Sequence, residues 1–243
     1  MIKEIISNKI SKGEKQWCVL IDPDKIVFDE INKLISLTNI SSCDFILVGG
    51  SLINHQMFDS FLKEIKTLST KPVLIFPGDN QQISKYADGL FLLSLISGRN
   101  PELLIGQHVK SAFKIKASKL EILPCGYILV EGESLNSAIY MSESLPIPKN
   151  KSAIAAATAL AGEQLGLQFI YLDKGSGAKE SIGNKMIGEV KKIINIPLIV
   201  GGGINSQEDL DNVWNAGADI AVIGTSIEKN FKNIFLYNKT PIK

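Results

Sequence analysis

The order of apolar and polar positions predicts a chain that alternates buried strands with amphipathic helices. Eight short segments are almost wholly apolar, which is typical of parallel strands buried on both faces. Most segments between them place apolar residues three and four positions apart, which predicts helices with one apolar face. The predicted strands are residues 17–22, 45–50, 72–76, 89–94, 121–130, 169–173, 197–201 and 219–224, and the predicted helices are residues 27–37, 53–68, 101–116, 152–165, 182–194 and 207–216.

This alternation indicates an α/β fold, a single (β/α)8 TIM barrel domain over residues 1–243. An open doubly wound sheet is the alternative, but eight units and glycine-rich ends on the last strands favour a closed barrel. Only about ten residues, 78–87, separate the third and fourth strands, too few for a full crossover helix. We therefore expect the third helix to be reduced or replaced by irregular structure, which leaves that flank of the barrel open.

Composition excludes several classes of function. The 243 residues carry 26 basic and 25 acidic side chains, so the net charge of +1 creates no field that would attract nucleic acid or a membrane surface. No apolar stretch reaches the roughly 20 residues of a membrane helix, and the N-terminus lacks the apolar run of a signal peptide. We expect a cytoplasmic protein whose three cysteines, Cys18, Cys43 and Cys125, are reduced core residues.

Glycines at the ends of three consecutive strands predict a phosphate site. The segment PLIVGGGIN runs from an apolar strand into Gly202 and Gly203, and ADIAVIGT ends in Gly224 and Thr225. The loop after strand 6, YLDKGSGA, contributes residues 175–177, whose N–H groups and serine hydroxyl suit an anion. Barrels of this class commonly bind phosphate at the loops after strands 7 and 8. We expect a phosphorylated substrate at the mouth.

Other polar residues follow the ends of strands 1 and 2. Asp22 ends strand 1, where its carboxylate would suit Mg²⁺ or would cap the next helix. Ser51 follows strand 2 and is a helix cap, or its hydroxyl is a second metal ligand beside Asp22 or a phosphate contact. We expect His55 to face solvent and His108 to lie within a helix, so neither histidine is predicted to be a catalytic base.

Three further charged residues are candidates for chemistry. Arg99, the sole arginine, precedes Asn100 and Pro101 at a helix start, where it would grip a phosphate through two hydrogen bonds or remain a solvated surface residue. Asp173 ends strand 6 and is placed to act as a base. Lys174 would balance phosphate charge or, in another chemistry, form a Schiff base.

The motifs LIDPDK, VGGS, SGRNP, YLDKGSG, VGGGI and AVIGT, in this order, resemble those of the geranylgeranylglyceryl phosphate synthases. This prenyltransferase family includes the bacterial heptaprenylglyceryl phosphate synthases, and the likeness extends from about residue 22 to 225. It implies a barrel enzyme that joins the 3-hydroxyl of sn-glycerol 1-phosphate to C1 of a long prenyl diphosphate, here geranylgeranyl diphosphate, and releases diphosphate. The family's third helix is replaced by irregular structure, which agrees with the short segment 78–87.

The resemblance also implies roles for single residues. Asp22 and Ser51 would hold Mg²⁺, and from its own chemistry Arg99 would stabilise the diphosphate leaving group nearby. Asp173 stands where the family usually has glutamate, so a base there would lie one methylene further back. Glycerol 1-phosphate would be bound by Tyr171, Leu172, Asp173, Lys174, Gly175, Ser176, Gly177, Gly202, Gly203, Gly224 and Thr225.

An apolar groove for the prenyl tail is expected along the open flank, near Phe76, Leu93 and Tyr127. The resemblance further implies a homo-oligomer, either a dimer or a hexamer.

Two rival functions share the phosphate loops. One is a barrel aldolase that uses Lys174, or a sugar-phosphate isomerase, and the other is a carrier of isoprenoid phosphates without turnover.

Overall fold

The structure is a computed structural model that describes residues 1–53, 55–134 and 136–239, without the side chains of His55 and Gln56. Eight parallel strands form a closed barrel in sequence order, and β1 pairs with both β2 and β8. This confirms the predicted fold. The strands are β1 (Gln16–Ile21), β2 (Phe45–Val48), β3 (Val73–Ile75), β4 (Gly89–Leu95), β5 (Glu121–Leu129), β6 (Phe169–Asp173), β7 (Leu198–Gly201) and β8 (Ile220–Ile223).

The helices surround this barrel, and the six predicted ones are confirmed with small changes at their ends. The sequence reading had not assigned three helices that the structure contains: α1, α5 and α9. The α-helices are α1 (Ile2–Ser11), α2 (Ile31–Ile40), α3 (His55–Leu68), α4 (Gln107–Ser118), α5 (Ser137–Ser142), α6 (Ser152–Gln164), α7 (Asn184–Ile193), α8 (Gln207–Ala216) and α9 (Thr225–Lys229). A π-helical turn (Glu102–Gly106) precedes α4, and 3₁₀ turns cover Phe28–Glu30 and Phe231–Leu236.

Two apolar clusters follow from the alternation of side chains along each strand. In β6, Phe169 and Tyr171 point into the barrel, whereas Ile170 and Leu172 point outward to the helices. All four are buried, because a parallel barrel covered by helices exposes neither face of its sheet. A residue at the carboxyl end of a strand therefore reaches the mouth only when its side chain points into the barrel or when it lies beyond the strand.

The connection between β3 and β4 contains no helix, as the short segment predicted. Residues 76–88 form turns and irregular backbone, held by the Gln82 side chain, which donates to the Gly50 carbonyl oxygen at 2.8 Å. Ile83 from this segment and Leu90 of β4 both belong to the apolar cluster on the outer side of the sheet. The outer face of β3 and β4 thus lacks the helix that would normally cover it.

Helix α1 closes the amino end of the barrel. Ile2 and Ile6 belong to the cluster inside the barrel, and the Glu121 carboxylate accepts the backbone N–H of Lys3 at 2.9 Å. Gln16, at the start of β1, donates through its side chain to the carbonyl oxygen of Ile6. Although the sheet closes on itself, both ends of a barrel need to be covered. Helix α1 excludes water from the end opposite the glycine-rich loops.

The three cysteines are buried free thiols, as predicted. Cys18 and Cys125 lie in the cluster inside the barrel, and Cys43 lies in the outer cluster. Burial raises the pKa of Cys43 to about 12, so the thiolate is not formed at neutral pH. Within the described ranges, no helix is long and apolar enough to span a bilayer.

Helix α1 offers a test of this packing. Ile6→Ala should lower the free energy of unfolding by about 2–5 kcal/mol, because it removes buried methyl groups from the end of the barrel. Ile6 is 1% exposed, whereas its neighbour Ile5 is 47% exposed, so Ile5→Ala is the matched control and should change little. Chemical denaturation of both variants measures the difference, and equal effects would show that α1 does not close the barrel.

Candidate active site

A cavity of about 640 Å³ lies at the carboxyl end of the barrel. Its inner part is lined by inward-facing residues of the strands, such as Leu20, Tyr171 and Val222. It continues over the rim to Ile83 and Ile115, on the flank where the helix is missing. One continuous space therefore joins the mouth of the barrel to its open side.

The loop after β1 projects a carboxylate and an ammonium into this cavity. Residues 22–25 form a turn in which the Lys25 N–H donates to the Asp22 carbonyl oxygen at 3.1 Å. The Asp24 N–H donates to Asp22 Oδ1, also at 3.1 Å, and Lys25 Nζ lies 3.3 Å from Asp22 Oδ2. Pro23 favours this turn because its ring fixes φ. Asp22 is thus at the rim, as predicted.

The loop after β2 lies against both neighbouring loops because it begins with two glycines, Gly49 and Gly50. A Cβ at Gly49 would lie 1.9 Å from the Phe76 carbonyl oxygen, and one at Gly50 would lie 3.1 Å from Asp22 Cγ. Any larger residue at Gly49 would separate β2 from β3. Ser51 follows these glycines, lines the cavity, and accepts a 3.4 Å hydrogen bond from the Ser137 hydroxyl across the mouth.

Asp173 lies at the end of β6 with both carboxylate oxygens partnered. Oδ1 accepts the Gly175 N–H at 2.8 Å, and Oδ2 accepts the hydroxyl of Tyr127 from β5. Burial raises the pKa of Asp173, and the two hydrogen bonds oppose that rise because they stabilise the carboxylate. Burial also raises the pKa of Tyr127 far above its ordinary value, so its hydroxyl remains a donor.

The three glycine-rich loops meet, as predicted. The Ser176 and Thr225 hydroxyl oxygens are 3.2 Å apart, and the Gly177 N–H donates to Thr225 Oγ1 at 3.2 Å. Gly203 has φ +72°, and a Cβ there would lie 2.0 Å from the Glu180 carbonyl oxygen, so only glycine fits. These contacts hold the loops after β6, β7 and β8 at one side of the cavity.

Four predicted site residues do not line the cavity. The Lys174 ammonium lies 2.8 Å from Glu133 Oε1 and its side chain is 7% exposed, so it points away from the mouth. Arg99 is exposed and donates to the carbonyl oxygens of Ile96 and Gly98, beside a separate surface cleft. Leu172 has the outward parity and packs against the helices, and Gly177 contributes only its hydrogen bond to Thr225.

The remaining predicted residues do line it. They are Asp22, Ser51, Phe76, Tyr127, Tyr171, Asp173, Gly175, Ser176, Gly202, Gly203, Gly224 and Thr225. Leu93, expected in the groove, lines it too.

Lys25 and Glu228 were not identified from the sequence, although both line the cavity. Lys25 Nζ donates to Ser176 Oγ at 3.2 Å and to Glu228 Oε2 at 3.3 Å. Burial disfavours the charged ammonium, but Glu228 and Asp22 outweigh it and raise the pKa of Lys25. Burial raises the pKa of Glu228, and Lys25 partly offsets that rise. Two features of the sequence could have indicated these residues: the turn sequence DPDK contains Lys25, and Glu228 lies one turn into the helix after β8.

Of the two histidines, the structure describes the side chain of His108. His108 lies in α4, as predicted, with Nε2 2.9 Å from the Ser94 hydroxyl, and burial lowers its pKa. It lines the cavity beyond the rim as a neutral ring. The side chain of His55 lies outside the part of the chain that the structure describes.

A sequence model of the PcrB family matches residues 8–239, nearly the whole chain. The chain belongs to the PcrB family. A curated relative, the geranylgeranylglyceryl phosphate synthase of Chitinophaga pinensis, is 46% identical over 90% of this chain and 87% of its own length. This relative bears the name of the family whose motifs the sequence resembles, which confirms that resemblance.

Two solved structures of synthases share the fold. The wild-type GGGPS of Thermoplasma volcanium has a TM-score of 0.90 at 32% identity, covering 97% of this chain and 93% of that chain. The (S)-3-O-geranylgeranylglyceryl phosphate synthase of Thermoplasma acidophilum was solved in complex with its substrate sn-glycerol-1-phosphate. It also has a TM-score of 0.90, at 31% identity, covering 97% of this chain and 94% of that chain.

Proposed function

We propose that this protein is a prenyltransferase that joins the 3-hydroxyl of sn-glycerol 1-phosphate to C1 of a long prenyl diphosphate, with release of diphosphate. The observation that carries the proposal is the cavity, which connects glycine-rich loops suited to phosphate with a long apolar groove. A relative that covers 97% of the chain was solved with sn-glycerol-1-phosphate as its substrate. Geranylgeranyl diphosphate is the expected prenyl donor, since the curated relatives are geranylgeranylglyceryl phosphate synthases.

Glycerol 1-phosphate is assigned to the loops after β6, β7 and β8. The hydroxyls of Ser176 and Thr225 and the backbone of Gly202, Gly203 and Gly224 surround one side of the cavity. Backbone N–H groups and hydroxyls bind phosphate oxygens without adding bulk, and this is the usual phosphate site of such barrels. The glycerol hydroxyl would then extend toward Asp173, which lies at the end of β6.

The prenyl tail is assigned to the apolar part of the cavity. Phe76 packs against Tyr171 and Tyr127, with ring centroids 5.0 and 6.0 Å away, and forms an aromatic floor in the mouth. Beyond the rim, Ile83 and Ile115 continue the apolar surface along the side of the barrel that lacks a helix. A channel that leaves the barrel sideways accommodates a long chain that the filled barrel interior could not hold.

Asp173 is the base in this proposal. As the glycerol oxygen attacks C1, the bond from C1 to the diphosphate oxygen breaks and the hydroxyl proton passes to the carboxylate. The raised pKa of Asp173 makes it a stronger base than an exposed aspartate. Tyr127 and Gly175 orient the carboxylate through hydrogen bonds to its two oxygens.

Mg²⁺ is the proposed cofactor, and Asp22 and Ser51 would hold it. Within the described residues, no cluster of three or more histidine, cysteine, aspartate or glutamate side chains could hold a metal. One carboxylate and one hydroxyl at the rim nevertheless fit Mg²⁺, which takes few protein ligands and fills its shell with water and substrate phosphates. When bound, it would neutralise the charge of the departing diphosphate.

The rival aldolase function would need an unprotonated lysine in the cavity. Lys174 is paired with Glu133 outside the cavity, and Lys25 stays protonated beside Asp22 and Glu228. A protonated amine does not form a Schiff base.

A homo-oligomer also remains part of the proposal, supported by an exposed apolar stripe of Ile105, Val109 and Phe113 on the outer face around α4.

The first prediction concerns substrate and metal. Diphosphate release from geranylgeranyl diphosphate should require sn-glycerol 1-phosphate, fail with its 3-phosphate enantiomer, and be lost without Mg²⁺. Asp22→Asn should lower turnover by about 100-fold or more, since the metal would lose its carboxylate. Asp29→Asn, at an exposed position in the following 3₁₀ turn, is the control. Binding of both substrates without diphosphate release would instead favour the carrier.

A second prediction concerns the base. The ionised carboxylate of Asp173 accepts the proton, so kcat should fall as the pH drops through its raised pKa. Tyr127→Phe should move that fall to higher pH, because it removes a hydrogen bond that stabilises the carboxylate. Asp173→Asn should lower kcat by about 100-fold or more at every pH. Tyr140→Phe, which changes an exposed tyrosine, is the control and should leave the pH dependence of kcat unchanged. If Tyr127→Phe does not shift the pH dependence of kcat, Asp173 is excluded as the base.

The groove gives a third prediction. Ile115→Trp should fill the part of the cavity beyond the rim and lower kcat/KM for geranylgeranyl diphosphate by about tenfold or more, with less effect on geranyl diphosphate. Thr67→Trp, at an exposed position of α3 that does not line the cavity, is the control. An equal loss with both chain lengths would place the prenyl tail elsewhere.

A further inference from the structure

Lys25 is the one lysine or arginine among the described residues that line the cavity. The carboxyl groups that line it are those of Asp22, Asp79, Asp173 and Glu228. A phosphate monoester carries nearly two negative charges at neutral pH, so it would enter a cavity that already contains several acids. The two other cations assigned to this site from the sequence, Arg99 and Lys174, lie elsewhere. The Lys25 ammonium is therefore the positive charge available within the described lining.

The position of this ammonium indicates which substrate it meets. Its partner Ser176, at 3.2 Å, belongs to the loop after β6, and its partner Glu228, at 3.3 Å, belongs to the helix after β8. Ser176 is in turn 3.2 Å from Thr225. Two of the three contacts of the ammonium are thus with the elements that form the phosphate side of the cavity, and the third is with Asp22.

Glu228 fixes the ammonium there. Its carboxylate lies 3.3 Å from Lys25 Nζ and also accepts the backbone N–H of Asp22, so it joins the loop after β1 to the helix after β8. The Glu228 side chain is 12% exposed, whereas that of Lys25 is 44% exposed. The Glu228 carboxylate is thus largely buried in the cavity wall, whereas the Lys25 side chain remains accessible from the cavity.

We propose that Lys25 binds the phosphate of glycerol 1-phosphate and that Glu228 is the positioning residue that holds its ammonium for this contact. The inference rests on the proposed function for the identity of the substrate. It does not require that the enzyme turn over, since the contact forms with the phosphate alone.

The test compares Lys25→Met, Lys25→Arg and Lys229→Met. Lys229 is the matched control because it is an exposed lysine next to Glu228 that does not line the cavity. Steady-state kinetics give the KM of each substrate, and calorimetry gives the Kd of sn-glycerol 1-phosphate without metal or prenyl diphosphate. Lys25→Met should raise the KM and Kd of glycerol 1-phosphate about tenfold or more, with kcat and the KM of the prenyl donor changed less than about threefold. Lys25→Arg should restore part of the affinity, and Lys229→Met should have no effect.

Glu228 is tested through a double-mutant cycle with Lys25. Glu228→Gln keeps an acceptor for the Asp22 N–H but removes the charge. It should raise the Kd of glycerol 1-phosphate in the wild type and should not raise it further in the Lys25→Met background. An equal loss in both backgrounds would show that Glu228 acts independently of Lys25.

Several outcomes separate this inference from the proposed function. Normal diphosphate release with an unchanged Kd in Lys25→Met would overturn the inference alone, as would a rise confined to the KM of the prenyl donor. If the wild type releases no diphosphate but binds glycerol 1-phosphate or inorganic phosphate, and Lys25→Met weakens that binding, the proposed function fails and the role of Lys25 stands.

Discussion

Closure of the parallel sheet is the constraint on which the site depends. Every strand runs in the same direction, so the eight carboxyl ends meet at one mouth, and the helix α1 covers the other end. Residues far apart in the chain, such as Asp22 and Glu228, become neighbours through the pairing of β1 with β8. Asp173 meets Tyr127 in the same way, because β5 pairs with β6. The site is a consequence of strand pairing before it is a consequence of any loop.

The balance of charge at the mouth is the second feature that gives the site its character. Acids line the cavity, and the ammonium of Lys25 lies between Asp22, Glu228 and Ser176. Burial raises the pKa of Asp173 and of Glu228, which is the expected response of carboxyl groups in a partly dry environment. One ammonium among several carboxyl groups is therefore the charge arrangement of the described lining of this mouth.

The open flank extends the cavity beyond the mouth of the barrel. A helix between β3 and β4 would cover the outer face of those strands and would end the cavity at the rim. Its replacement by residues 76–88 leaves an apolar channel between this segment and α4. Polar loops at one end and hydrocarbon surface at the other match a reaction between a small phosphate ester and a long prenyl chain.

The sequence by itself determined the fold, the family and most of the mouth. Apolar runs that end in glycine have few alternatives to buried parallel strands, and a short link between two of them leaves no room for a helix. It also determined that Asp22, Asp173 and the glycine pairs lie at strand ends. These conclusions depend on local order along the chain, which spacing reports directly.

Tertiary structure alone decided the direction of the long charged side chains. Lys174 follows Asp173 in the chain, yet it turns away to pair with Glu133, while Lys25 reaches across to Ser176. Arg99 likewise folds back on its own loop. A long, flexible lysine or arginine side chain takes its position from the acceptors that the fold brings within reach, and one sequence does not say which these will be. Contacts made in the folded chain placed these charges, whereas local pattern placed the strands.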